Sequence, residues 1–155
     1  MADRHYSYEH PHGCTMSHEV GPPGQKLILL TENGEAVWGS HRPAPWAGIA
    51  RQDGLSGLFC FLFRNEGYPR ASSSELVKEA VAITAQRWGM ADFWTYIGVD
   101  HVLTPLEIAG YCFLKARFRH TRYVHSNKLG TLRLLKLPAA KVAGLASRYK
   151  GATLL

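Results

Sequence analysis

Acidic residues are absent from the last 48 positions of this 155-residue chain: all 12 Asp and Glu lie at or before Glu107, whereas 10 of the 18 Lys and Arg follow it. A surface of mixed charge is thereby excluded for the C-terminal third. Its cations are interleaved with Tyr111, Phe118, Tyr123 and Tyr149, the mixture that suits neutralised phosphates and stacked rings, so DNA or another polyanion is the expected partner. Long apolar runs are also lacking. The longest, Leu58 to Phe63, is far short of the roughly 18 residues of a membrane span, so no membrane partner is expected. The N-terminus places Asp3, Arg4 and His5 where a secretory leader would be apolar, and a cytoplasmic location is expected. Three cysteines, Cys14, Cys60 and Cys112, form neither an even set nor a CxxC pair, which argues against a disulfide frame or a zinc knuckle. His5, His10, His12, Cys14 and His18 match no standard metal spacing, and no metal is expected.

What remains is the composition of one globular domain, with 46% hydrophobic residues. An arm over about residues 1–24 has no apolar period. Lys26 to Thr31 and Ala36 to Ser40 read as a hairpin around Asn33-Gly34. His41 to Ile49 reads as irregular or a short helix. Leu58 to Phe63, apolar at every position, predicts a strand in the middle of the sheet. Ser72 and Glu75 form a capping box that opens a helix running to about Trp88, with Gly89 as its stop. Phe93 to Ile97 predicts a strand. Thr104-Pro105-Leu106-Glu107 repeats the capping chemistry and predicts a second helix to about Ala116. Two strands, Phe118 to Val124 and Thr131 to Leu137, and a helix from Ala139 to Lys150 complete a basic hairpin plus helix over about 117–150.

The turn Arg70-Ala71-Ser72-Ser73-Ser74 joins the central strand to the first helix, where backbone N–H groups and the helix dipole favour an anion. With the following Glu75-Leu76-Val77 it is similar to the Arg-Gly-x-Gly-x-x-Leu-Leu turn of the GNAT acyltransferases, which binds the CoA pyrophosphate. Ala109-Gly110-Tyr111-Cys112-Phe113-Leu114-Lys115-Ala116-Arg117-Phe118 resembles the late helix of that family. In this chain Ala71 and Ser73 replace the glycines of the turn, Phe113 stands where the family often has a thiolate-protonating tyrosine, and Arg117 where it usually has glycine. A narrower resemblance, carried by Asp3 to Ser7, Phe63 to Gly67 and Gly110 to Phe113, is to small phage-encoded GNAT-like proteins of the Mom type, which modify an exocyclic base amine in DNA.

These resemblances imply an α+β fold, a GNAT-like mixed β-sheet with helices packed on its faces, and an N-acyltransferase that uses acetyl-CoA or another acyl-CoA. Arg70, Ala71, Ser72, Ser73, Ser74 and Phe113 are the expected cofactor contacts. His5 and Tyr6 on the arm, and Glu66 and Asp100 after the inner strands, are the candidates for proton transfer. Lys115, Arg117, Arg119, Arg122, Lys128 and Arg133 are the expected nucleic-acid contacts, with a target base flipped from the duplex. Two other readings fit the same residues: a catalytically silent nucleic-acid- or protein-binding module, and an N-acyltransferase for small molecules.

Overall fold

The structure, a computed structural model, describes residues 24–43, 53–100 and 108–151, together with Pro22, Arg51 and Pro105. The arm with His5 and Tyr6, most of the segment from His41 to Ile49, and Thr104, Leu106 and Glu107 lie outside the described residues. The described chain is α+β: six strands in one mixed sheet and three helices, in the order β1 (Gln25–Leu30), β2 (Ala36–Arg42), β3 (Leu58–Asn65), α1 (Ser73–Trp88), β4 (Phe93–Gly98), α2 (Tyr111–Lys115), β5 (Arg119–Ser126), β6 (Gly130–Leu137) and α3 (Ala139–Arg148). Across the sheet the order is β1-β2-β3-β4-β6-β5, so β3 and β4 are the two inner strands. They run parallel, and every other neighbouring pair is antiparallel.

The central run Leu58 to Phe63 changes its alternation part-way. Ser40 of β2 faces Cys60 and Gly39 faces Leu62, so Phe61 is an extra residue, a bulge. Leu58 and Cys60 before it, and Phe63 after it, therefore all reach the side of the sheet that carries the helices. The Phe61 ring lies over Gly39, where a Cβ would stand 2.7 Å from it.

One apolar core joins the three helices to that side. Val77, Ala80, Val81 and Ala85 of α1, Phe113 of α2, and Val142 and Ala146 of α3 pack with Trp38, Phe93, Leu135 and Leu137 of the sheet. Phe113 is 4% exposed and meets Phe63 and Phe118 edge-on, with ring centroids 5.8 and 5.3 Å away, contacts worth about 1 kcal/mol each beyond area burial. A buried hydroxyl pair, Ser40 Oγ and Thr84 Oγ1 at 3.1 Å, fixes α1 against β2. Asp92 caps α3 from outside, accepting from Ala139 N at 2.9 Å. Among the described residues no helix is long and apolar enough to cross a membrane.

Two expectations of the sequence need correction. Ser72 Oγ does accept from Glu75 N, at 3.3 Å, but the Glu75 carboxylate does not return the bond; it takes Lys78 Nζ and the Tyr149 hydroxyl, each at 2.7 Å. The second helix is shorter than expected, five residues from Tyr111 to Lys115. Gly110, left-handed at φ 79°, sits where a Cβ would come within 2.8 Å of Ile97 Cγ1, and this turn against the sheet stops the helix from reaching further back.

Arg117 is the one non-glycine residue of positive φ (75°) among the described residues. An L-residue there costs about 1 to 2 kcal/mol, part of which glycine gives back through its freer unfolded chain. Arg117→Gly is expected to raise the thermal midpoint by roughly 2 to 4 °C, a net gain of about 1 kcal/mol. A lower midpoint would show that the Arg117 side chain supports the fold.

Candidate functional site

The parallel pairing between β3 and β4 covers three residues of each strand: Leu58 with Phe93, Phe59 with Trp94, Cys60 with Thr95. Both strands then continue. β3 runs on to Asn65 along β2, and β4 to Gly98 along β6, but their shared ladder has ended. The bulge at Phe61 is the first residue past that end. Between two strands held on their outer sides and no longer paired to each other, an extended ligand can lie and meet backbone groups of both. In open sheets ligands gather at the carboxyl ends of parallel strands, and here the end of β3 leads directly to the start of α1.

Asn65 builds that connection. Its Oδ1 accepts from the N–H groups of Gly67 at 3.1 Å and Tyr68 at 2.8 Å, and its Nδ2 donates to Ser73 Oγ at 3.0 Å. The side chain thus ties the loop to the first residue of the helix. Of the first four N–H groups of α1, Glu75 N goes to Ser72 Oγ and Leu76 N to Ser72 O. Those of Ser73 and Ser74 have no partner among the described residues and carry the positive end of a 16-residue helix. Ser72 Oγ and Ser74 Oγ stand 3.1 Å apart, and Arg70, 68% exposed, has a long 3.4 Å contact to Glu32. Two amide N–H groups, two hydroxyls and a guanidinium therefore belong to one turn. Ala71 is half-buried beside them. The residues of Arg70 to Ser74 fit a pyrophosphate in donor type; Phe113, sealed in the core, does not reach any ligand.

The expected acids are occupied. Glu66 accepts from Arg64 Nε at 2.9 Å. Asp100 Oδ2 accepts from Thr131 N at 2.7 Å and holds the β5–β6 hairpin to the end of β4. A different cluster stands at the end of the ladder. Tyr96, the first residue of β4 past it, lies on the face away from the helices and donates its hydroxyl to Asp53 Oδ2 at 2.9 Å. Asp53 Oδ1 takes Arg51 Nε at 3.0 Å and Leu55 N at 3.1 Å, and the Arg51 guanidinium lies 3.5 Å above the Phe59 ring. Burial pushes the Asp53 carboxyl up, but its bonds to Arg51, Leu55 N–H and Tyr96 outweigh it and hold the group below the usual carboxylate range. Burial, with Asp53 beside it, raises Tyr96, which keeps its proton at neutral pH. Sequence reasoning missed this cluster, because 43 positions separate Asp53 from Tyr96 and no local pattern joins them.

Comparison with protein-family models, with curated proteins and with solved structures finds no match.

The cationic residues divide. Arg133 is 7% exposed, and its guanidinium donates to Ala109 O at 3.0 Å and His120 Nδ1 at 3.3 Å; it holds the turn before α2 to the sheet and leaves the set of surface contacts. Lys115 lies 5.7 Å from the exposed Tyr111 ring, and Lys128 is exposed in the β5–β6 turn. β5 is an edge strand with six of eight residues exposed. His120 faces Leu135 and Arg122 faces Leu134, so Thr121 is an extra residue, pinned by its hydroxyl to Leu134 O at 2.8 Å. The extra residue brings Arg119 and Arg122 to one side of the sheet, the side of Lys136 and Trp94. Arg117, Arg119 and Arg122 make no ion pair with a described residue.

Because the Asp53 carboxyl titrates lower in the folded chain than in the unfolded one, its bonds stabilise fully above about pH 4 and are lost as the pH falls through the folded value. Asp53→Asn is expected to lower the thermal midpoint at pH 7, with the gap to the parent chain closing as the pH falls below about 4. A gap independent of pH would mean that the carboxylate charge is not what holds Arg51 and Tyr96.

Proposed function

We propose that the chain is an acyl-CoA-dependent N-acyltransferase of the GNAT type, acting on an amine carried by nucleic acid. The observation that carries the reading is the end of the β3–β4 ladder at Cys60 and Thr95, directly before the bulge, with β3 going on through Asn65 to the serine turn that opens α1. An acyl-CoA supplies the activated thioester. The N–H groups of Ser73 and Ser74, the Ser72 and Ser74 hydroxyls and Arg70 bind its pyrophosphate, and the strand edges past Cys60 and Thr95 orient its extended arm. Backbone N–H beside the bulge polarises the thioester carbonyl. As the amine forms the new C–N bond and the C–S bond breaks, the Tyr96 hydroxyl turns from Asp53 to give its proton to the departing thiolate and regains one from the amine nitrogen, a part that the buried Phe113 cannot take. The acceptor arrives along Arg119 and Arg122, which supply phosphate contacts on the same face as Tyr96.

A second reading rests on the occupied carboxylates of Glu66 and Asp100 and on the sealed Phe113: a silent nucleic-acid-binding module that keeps the scaffold without the chemistry.

Calorimetric titration separates them. Acetyl-CoA is expected to bind, and Ser74→Glu to weaken it more than about tenfold by charge repulsion, with the helix intact because an acid at a helix start is favourable. Duplex DNA is expected to bind with affinity that falls steeply between about 50 and 200 mM salt. No affinity for acetyl-CoA together with salt-sensitive DNA binding would overturn the transferase in favour of the silent module; DNA binding insensitive to salt would remove the phosphate contacts.

A further inference from the structure

One extra residue sorts the side chains of the edge strand β5. His120 stands opposite Leu135 and Arg122 opposite Leu134, and these two leucines, being consecutive, face opposite sides of the sheet. Thr121 lies between them, so the alternation of β5 slips by one position. Arg119 and Arg122 thereby reach the face without helices, where Tyr96 lies. His120 and Tyr123 reach the other face, opposite Leu135 of the core and Arg133. In an unbroken strand each side would carry one cation and one ring. With Thr121 in place, both cations are on one side and both rings on the other.

The rings are fixed from the interior. His120 and Tyr123 stand with ring centroids 4.7 Å apart, and His120 Nδ1 accepts from Arg133 Nε at 3.3 Å. Arg133, itself buried, is anchored by its bond to Ala109 O, so the imidazole is placed before any ligand arrives. From Ala109 the chain passes through Gly110 to Tyr111, the first residue of α2, 56% exposed and with Lys115 Nζ 5.7 Å from its ring. Tyr123 is 46% exposed. Arg119 and Arg122, across the edge, make no ion pair with a described residue. The outer edge of β5 joins no described strand, so a ligand can cross from one side to the other.

An aromatic side chain stacks on a base only where the face of that base is bare. In a duplex each base is covered by its neighbours, whereas an unpaired strand offers ring faces together with a flexible line of phosphates. The last 48 positions hold no acid, so the charge of this edge complements such a polyanion. We propose that the β5 edge binds an unpaired stretch of DNA, its phosphodiesters against Arg119 and Arg122 and its bases stacked on Tyr123 and Tyr111. The acceptor is then an amine on an unpaired base. This inference rests on nucleic acid as the carrier of the amine and narrows it: an unpaired base is reached without the unstacking that a duplex demands.

Fluorescence anisotropy on the full chain tests it with four probes: a DNA strand about twelve nucleotides long, its duplex, its RNA counterpart and an abasic strand of the same length. The DNA strand is expected to bind at least about tenfold tighter than the duplex or the abasic strand. Tyr123→Ala and Tyr111→Ala should each weaken the DNA strand at least about fivefold, with circular dichroism that of the parent and affinity for the abasic strand unchanged. Tyr123→Phe, which keeps the ring, should bind as the parent does. A DNA strand held no tighter than the abasic one, alanine variants that fold and bind it as the parent does, or tighter binding of the RNA would overturn the inference; salt-sensitive duplex binding would then still leave the phosphate contacts standing. Absence of binding by all four probes would overturn both.

Discussion

Three residue pairs hold the two halves of this sheet together, and where their hydrogen bonds stop two strand edges are left unpaired with each other. β1, β2 and β3 form one antiparallel block and β4, β6 and β5 another, joined by the short parallel ladder from Leu58 with Phe93 to Cys60 with Thr95. Had the ladder continued, the edges of β3 and β4 would satisfy each other and leave no room between them. The bulge at Phe61 follows its last pair and turns Phe63 toward the helices. There it meets Trp38 at 6.1 Å and Phe113 at 5.8 Å between ring centroids, so the bulge that follows the pairing also sets a ring of the core. The aromatic cluster beneath, itself buried, is what lets two blocks stay joined with so few shared hydrogen bonds.

The same junction organises both ends of the sheet. At the carboxyl end of β3, Asn65 binds the loop to Ser73 at the start of α1. At their amino ends, Trp94 and Asp92 clamp residues 56–58 and shape a cavity with two arginines. Between them, on the face without helices, Arg51, Asp53 and Tyr96 form a chain of bonds that bridges the β2–β3 connection to β4. Charge is separated along the chain in the same sense: the acids that shape these places come before Glu107, and the arginines of the β5 edge, which have no ion pair among the described residues, come after it.

Strands and helices with a strong local signal were legible in the sequence. Leu58 to Phe63, uniformly apolar, is an inner strand, and Ser72 and Gly89 do bound α1. Features set by distant partners were not. The bulge at Phe61 depends on Gly39 leaving space for its ring, and a run of six apolar residues hides a change of face. The late helix is cut short because Gly110 must approach Ile97 closely, which a capping pattern upstream cannot reveal. Of the site, the serine turn was visible as capping chemistry; the left-handed backbone of Arg117, φ 75°, has no local signal in the sequence. Arg133 looked like one cation among ten, yet its bond to Ala109 O makes it part of the interior. Glu66 and Asp100 looked available because a sequence does not display the Arg64 guanidinium and the Thr131 amide that occupy them.

Hydrogen exchange with and without acetyl-CoA tests the role of the broken ladder most directly, because backbone amides report where a ligand lies. Added protection is expected in two stretches, 61–65 with 96–98 along the strand edges and 71–76 at the start of α1, with 58–60 and 93–95 already protected in the free chain. Protection of 58–60 and 93–95 that is no higher than that of 61–65 in the free chain, or acetyl-CoA that leaves both stretches unchanged, would contradict a donor path between β3 and β4.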